Sequence, residues 1–351
     1  MKRIALLSAA FCSLGLQAQT LLCQARPAGS DLWGYMDIKG NMVIPPTYKN
    51  CFPFGESGYA AVRDLATDKP QFINAKGEAL KTDPADFALI TGLFGGRDAQ
   101  GFTCDRAPVK VGKLWGFMGT DGKMAIAPKY DRVDPFEGCH AVVFLGKTQY
   151  ILTADGKEVP VSDPNIVDVK GFKNGLSPFK LKDGMHGFMD ATQSVVIPPQ
   201  FLGVGYFTGE LAWAKTKEGK VGYINRKGEW AIPAQFDAGE DFDGASGMAR
   251  VKQGGAWMYV SRDGSIMRMT DTQSWGDFTE GLAKGKKGEL FGFFDKTGAW
   301  VILPQFQNVR EFKNGYAAAR QGDKWGFIDR TGKWVIEPKF EVVKDMERAG
   351  S

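Results

Sequence analysis

Short apolar–polar alternations, not helical spacing, run the length of this chain. In KWGFID (324–329), Trp325 and Phe327 fall on one side of an extended strand and Gly326 and Ile328 on the other, because successive side chains of a strand point to opposite faces. GYAAAR (315–320) precedes it as a first strand and WVIEP (334–338) follows as a third, with Trp334 and Ile336 expected on a face opposite Val335. Asp329-x-x-Gly332 joins the last two. Asp hydrogen-bonds the backbone ahead of it and Gly adopts positive φ, so the tetrad predicts a tight hairpin. Proline closes the third strand because it has no N–H for the ladder.

The same sentence recurs. Anchoring on the residue five before each turn glycine picks out Tyr35, Phe72, Phe117, Ile151, Phe188, Tyr223, Tyr259, Phe293 and Phe327, separated by 37, 45, 34, 37, 35, 36, 34 and 34 residues. Turn glycines follow at Gly40, Gly77, Gly122, Gly156, Gly228, Gly264, Gly298 and Gly332, with Gln193 in the remaining unit. Segments such as YDRVDPF (130–136) cross between units. Units this small bury their apolar faces only by stacking on neighbours. The expectation is an all-β tandem array of about nine short antiparallel β-meander units, open and solenoid-like, with a β-propeller as the alternative. The divisions expected are a leader over 1–18, a linker over 19–29, the array over 30–343 with an insertion at 81–104, and a tail over 344–351. A short helix is expected over 85–93 in that insertion, which serves either as a cap or as a binding loop.

SDLWGYMDIKGNMVIPPTY (30–48), KLWGFMGTDGKMAIAPKY (113–130) and GDKWGFIDRTGKWVIEPKF (322–340) share a motif that resembles the WG-repeat, or KWG-repeat, proteins of bacteria. The residues that carry the resemblance are Trp33, Gly34, Trp115, Gly116, Gly187, Gly222, Gly292, Trp325 and Gly326. The units anchored at Phe72 and Ile151 lack Trp-Gly, and the one at Tyr259 has Met258 for Gly. The resemblance implies a repeat scaffold and no particular reaction.

Composition adds limits. The formal charge is +4, or +2 without Lys2 and Arg3, and no basic stripe marks a nucleic-acid face. MKRIALLSAAFCSLGLQA has a basic start, an apolar run from Ile4 to Leu16 and a small residue at Ala18, the pattern of a secretory signal cleaved after Ala18. The run is shorter than the roughly 20 residues of a membrane span, and no other segment is long and apolar enough to be one. An exported chain places Cys23, Cys51, Cys104 and Cys139 in an oxidising compartment, where four cysteines have three connectivities. None forms a Cys-x-x-Cys, so zinc and redox chemistry are unsupported.

Candidate chemistry is sparse. His140 and His186 are the two histidines, and both stand at repeat positions. Asp37, Asp190, Asp295 and Asp329 recur at one position, with Asn74 and Asn225 as variants; a calcium ladder competes there with simple turn-making, which Asn performs equally well. GLFGG (92–96) lacks the lysine and helix of a phosphate loop. Periodic Trp33, Trp115, Trp257 and Trp325, and Trp230, Trp300 and Trp334, read as glue between units. Trp213 and Trp275 break the pattern and mark a candidate binding surface. The sequence therefore leads to an exported, non-enzymatic scaffold without a cofactor. It is expected to bind another macromolecule, a protein at the cell surface or in the periplasm, with a carbohydrate-binding repeat array as the alternative.

Overall fold

A computed structural model describes residues 20–89, 101–269 and 271–349. The expected leader and the GLFGG segment lie outside the described residues. Among those described, every regular element is a strand. The chain forms nine antiparallel units, each centred on one of the anchor residues, and all nine anchors are buried.

Unit 8 shows the plan: Ser274–Thr279, Leu282–Lys287, Leu290–Phe294 and Trp300–Phe306 pair in sequence order as a four-stranded sheet. The expected three strands are thus the second to fourth. The first comes from the segment that crosses between units, as when Arg132–Val133 within YDRVDPF pairs with Phe144 and Val143. Residues 85–87 form no regular element and Ala88–Leu89 is the first strand of unit 3, in place of the expected helix. From the same insertion, Phe87 and Phe102 are buried against Phe72.

Neighbouring units are keyed together by one repeated contact. Seven of the nine anchors pack on an aromatic residue in the next unit's first strand or in the segment leading from it to the second. Tyr35–Phe54, Phe72–Phe102, Phe117–Phe136, Phe188–Phe207, Tyr223–Phe242, Tyr259–Phe278 and Phe293–Phe312 have centroids 4.6–4.9 Å apart. Such pairs contribute about 0.5–1.5 kcal/mol each beyond their burial. Ile151 with Phe172, and Phe327 with Met346, occupy the same place in their clusters.

The last of these contacts seats the C-terminal strand, whose second half meets the other end of the chain. Leu21–Pro27, expected as linker, is the second strand of unit 1 and pairs on one side with Trp33–Asp37 and on the other with the C-terminal strand Trp334–Arg348. Residues 344–348, expected as a tail, belong to that strand, which serves unit 9 with its first half and unit 1 with its second. The expected array of antiparallel units is present, and its ends meet in the propeller form left as the alternative. The seam between units 9 and 1 repeats the internal ones: Gly40 sits on Ile336 as Gly332 sits on Ile302 and Gly228 on Ile197. An open array would leave two unpaired strand edges, and end-to-end pairing satisfies both.

Candidate functional site

The glycine of the Trp-Gly slot has a geometric cause. In unit 9 the register runs Trp325↔Phe340, Phe327↔Ile336 and Ile328↔Trp334, so the fourth strand bulges twice. The bulged Ile-x-Pro backbone folds over Gly326; a Cβ there would collide with the carbonyl oxygen of Ile336. The equivalent Cβ would lie 2.6 Å from Ile126 O at Gly116 and 2.5 Å from Ile197 O at Gly187 and Ile232 O at Gly222. Gly34 and Gly292 are equally closed off. Where the slot is Tyr150 or Met258 the fourth strand pairs without a bulge, and at Gln71 only a single bridge remains. Glycine and bulge come together. The bulge also corrects one expectation: Trp334 and Ile336 lie on opposite faces, packed in different clusters.

Six of the seven periodic tryptophans are half-buried, Trp230 is 40% exposed, and all are engaged in packing. Arg26 and Lys344 lie over Trp33, Lys110 over Trp115, and Arg250 over Trp257 at 4.8 Å from the ring centroid. Trp325 packs on the cluster that joins units 9 and 1. Trp230, Trp300 and Trp334 meet Phe201, Phe294 and Phe306 edge-on.

The recurring acids organise their own hairpins. Asp329 Oδ1 accepts hydrogen bonds from the Thr331 and Lys333 amides and the Thr331 hydroxyl, and Asn225 Oδ1 accepts the Lys227 and Glu229 amides in the same way. The Thr331 hydroxyl, with these amides, holds the Asp329 carboxyl below its ordinary range. Among the described residues, no group of three or more His, Cys, Asp or Glu is arranged to hold a metal ion.

Of the four candidate cysteines, Cys104 and Cys139 form a disulfide with Cα atoms 5.4 Å apart. They lie in the equivalent turns between first and second strands of units 3 and 4, both at positive φ but one residue out of register, Cys104 aligning with Gly138 and Cys139 with Asp105. Cys23 is buried and free, and Cys51 is half-buried and free; burial pushes the Cys51 thiol up to about 12, so neither is poised as a nucleophile. His140 stacks on Phe172, and the disulfide consumes its neighbour Cys139.

These first-to-second-strand turns converge in a collar. Ser57 bonds Asp105, the Asn174 amide bonds Phe207 O, the Glu280 carboxylate accepts the Asn314 and Gly315 amides, and Asn314 Nδ2 bonds Met346 O. Beside the disulfide the collar encloses a cavity of ≈ 480 Å³ lined by Glu56, Glu137, Phe136, Phe172, Lys173 and Tyr206, among others. Sequence reasoning missed these residues because no single one stands out; only closure brings units 2 to 6 to one mouth.

Trp213 and Trp275 are not brought together. Trp275 lies in the first strand of unit 8, packed beside Tyr259 and Phe278. Trp213 lies in unit 6 at the position held by Arg250 in unit 7 and Lys284 in unit 8. Those two pair across their seams with Asp277 and Glu311, at 2.9 and 2.8 Å. The indole of Trp213 makes no such pair with Asp241, whose Oδ1 is buried without a partner and whose carboxyl is raised by burial.

Six segments, 33–64, 115–143, 187–220, 222–264, 291–325 and 325–348, match the family model for the WG containing repeat and together span more than half of the chain. The chain belongs to the WG-containing repeat family. No curated protein matches it in sequence. A crystal structure of a eukaryotic initiation factor is similar in fold, with a TM-score of 0.59 over 94% of this chain and 99% of that one at 11% identity. Apo AztD from Citrobacter koseri (TM-score 0.42, 9% identity, 92% and 96% covered) and the dihydro-heme d1 dehydrogenase NirN in complex with DHE (0.44, 11%, 94% and 75%) are more distant. No helix of the described residues is long and apolar enough to cross a membrane.

Proposed function

We propose that this WG-repeat scaffold is exported, catalyses nothing and binds a protein partner, at the cell surface or in the periplasm, through the collar mouth beside the Cys104–Cys139 disulfide. The observation that carries the reading is that cavity of ≈ 480 Å³, where turns of five units present Glu56, Glu137, Lys173, Asn174 and Tyr206 around an apolar floor of Phe136 and Phe172. A preformed surface of this kind binds with little ordering cost, and turns on a rigid scaffold are where recognition residues concentrate. The disulfide supports export, since such bonds persist in oxidising compartments. The packing of the periodic tryptophans weighs against a stacking array for sugars.

The test is capture from the native periplasmic or surface fraction with the wild-type chain and with Glu137→Lys and Lys173→Glu. A partner held by the wild type and released by both variants, with their circular dichroism unchanged, is the expected result. A partner retained equally by all three would move the interface elsewhere. N-terminal sequencing of the exported chain tests the cleavage after Ala18.

A further inference from the structure

We propose that the groove between units 5 and 6 binds an acidic sugar, a reading independent of the collar interface. Four departures from the repeat meet here. His186 stands where Trp precedes Gly in other units, and Trp213 replaces the small or charged residue of the second strand. Gly203 and Gly205 lie in and just after the adjoining first strand, where unit 9 has Asn308 and Arg310. The glycines are the reason the indole fits: a Cβ at Gly203 would touch its Cζ3 at 3.5 Å, and one at Gly205 would collide with its ring nitrogen. Isolated departures are expected in any repeat. Four that accommodate one another build a feature.

The feature is a groove of ≈ 190 Å³. Trp213, Val204 and Leu202 line one wall, and Leu202 is 41% exposed. Lys170, Lys180, His186 and Asp168 line the other. An aromatic wall facing a few polar groups is the composition of a small-ligand site, and a half-buried indole offers a flat apolar surface to the C–H face of a pyranose. Charge then selects among sugars. Asp168 is taken by Lys170 at 3.0 Å. Lys180 has no ion pair among the described residues, while His186 is turned to the Phe201 and Gly184 backbone and closes the wall beneath it. The unmatched group is therefore a cation, which suits a carboxylate on the sugar. A hexuronate stacked on Trp213 with its carboxylate toward Lys180 satisfies both walls.

Isothermal titration of the full chain with a galacturonic acid trisaccharide, the neutral galactose trisaccharide and sodium acetate tests this. The acidic trisaccharide should bind about tenfold or more tightly than the neutral one, the equivalent of one good contact. Trp213→Ala should weaken it by a similar factor, and Lys180→Gln should erase the preference for the acid while leaving the fold untouched. Equal binding of acidic and neutral sugars, acetate binding as tightly as the trisaccharide, no binding of any probe, or indifference to Lys180→Gln would each overturn the proposal.

Discussion

The seam between units 3 and 4 and the seam between units 9 and 1 solve one problem in different ways. Both join neighbouring sheets through an aromatic anchor and a turn glycine. At the first the chain runs on from one unit to the next, and the Cys104–Cys139 bond adds a second covalent link. At the other the chain also runs on, through Trp334–Arg348, but the first strand of unit 1 that it supplies has no peptide bond to the second, Leu21–Pro27. Charge gathers beside this break, as Lys129–Glu158 does at the first seam. Arg310 grips Asp345 through two nitrogens, Lys313 meets Glu347 at 2.6 Å, and Arg348 bonds the Asn314 side chain. The ladder continues back through Lys284–Glu311 and Arg250–Asp277 and ends at unit 6, where Trp213 replaces the cation. All of these pairs lie within residues 250–348; the break itself, between the second half of Trp334–Arg348 and Leu21–Pro27, is held by backbone pairing.

Removing the disulfide is the strongest way to break this contrast. Closing a loop of 35 residues constrains the unfolded chain by about 3–4 kcal/mol, so Cys104→Ser with Cys139→Ser should lower the unfolding free energy by about that amount in a urea titration, and a reductant should do the same to the wild type. Next, Gly326→Ala forces a methyl into the bulged backbone of the strand that runs on into unit 1, at an expected cost of about 2–3 kcal/mol. Gly116→Ala makes the same clash beside the stapled seam, and the pair of denaturation curves compares the two seams directly. Arg310→Ala should cost only about 1 kcal/mol, because the pair is partly exposed. The loss should shrink in high salt, whereas the disulfide term should not.

The smallest effect lies outside both seams and serves as their control. Asp190, Asp263 and Asp329 are held below their ordinary range first by hydroxyls of their own turns, Asp263 to about 2. A depressed folded-state value means stability is fully present above the unfolded carboxyl range near 4 and is lost as pH falls toward 2. Urea midpoints measured from pH 5 to pH 2 should therefore decline gradually. Asn225, which makes the same turn without titrating, marks the unit that takes no part.

Much of this was legible in single residues. The nine anchors, the turn glycines and the equivalence of Asp with Asn at the hairpin follow from side-chain alternation and turn chemistry, which are local. Gln193 stands at φ 68° where the other units have glycine, and its amide nitrogen bonds Pro160 O across the seam. Three things were hidden because they are not local. Arg132–Val133 is too short to show a period. The bulge that turns Trp334 away from Ile336 depends on pairing, not composition. Leu21–Pro27 carries no repeat motif, since its partner strand is at the other end of the chain. The disulfide left a weaker signal: its cysteines fall in the same turn of neighbouring units, one residue out of register.

Closure of the ring is the central claim, and Cys23 offers a direct probe of it. It lies opposite Met346 across the pairing of the two chain ends. In Met346→Cys, oxidation should join the native thiol to the introduced one in the folded protein and not in urea, read as a loss of two hydrogens by intact mass and as one peptide linking both termini after digestion. A folded variant that stays fully reduced under those conditions would contradict the closed ring.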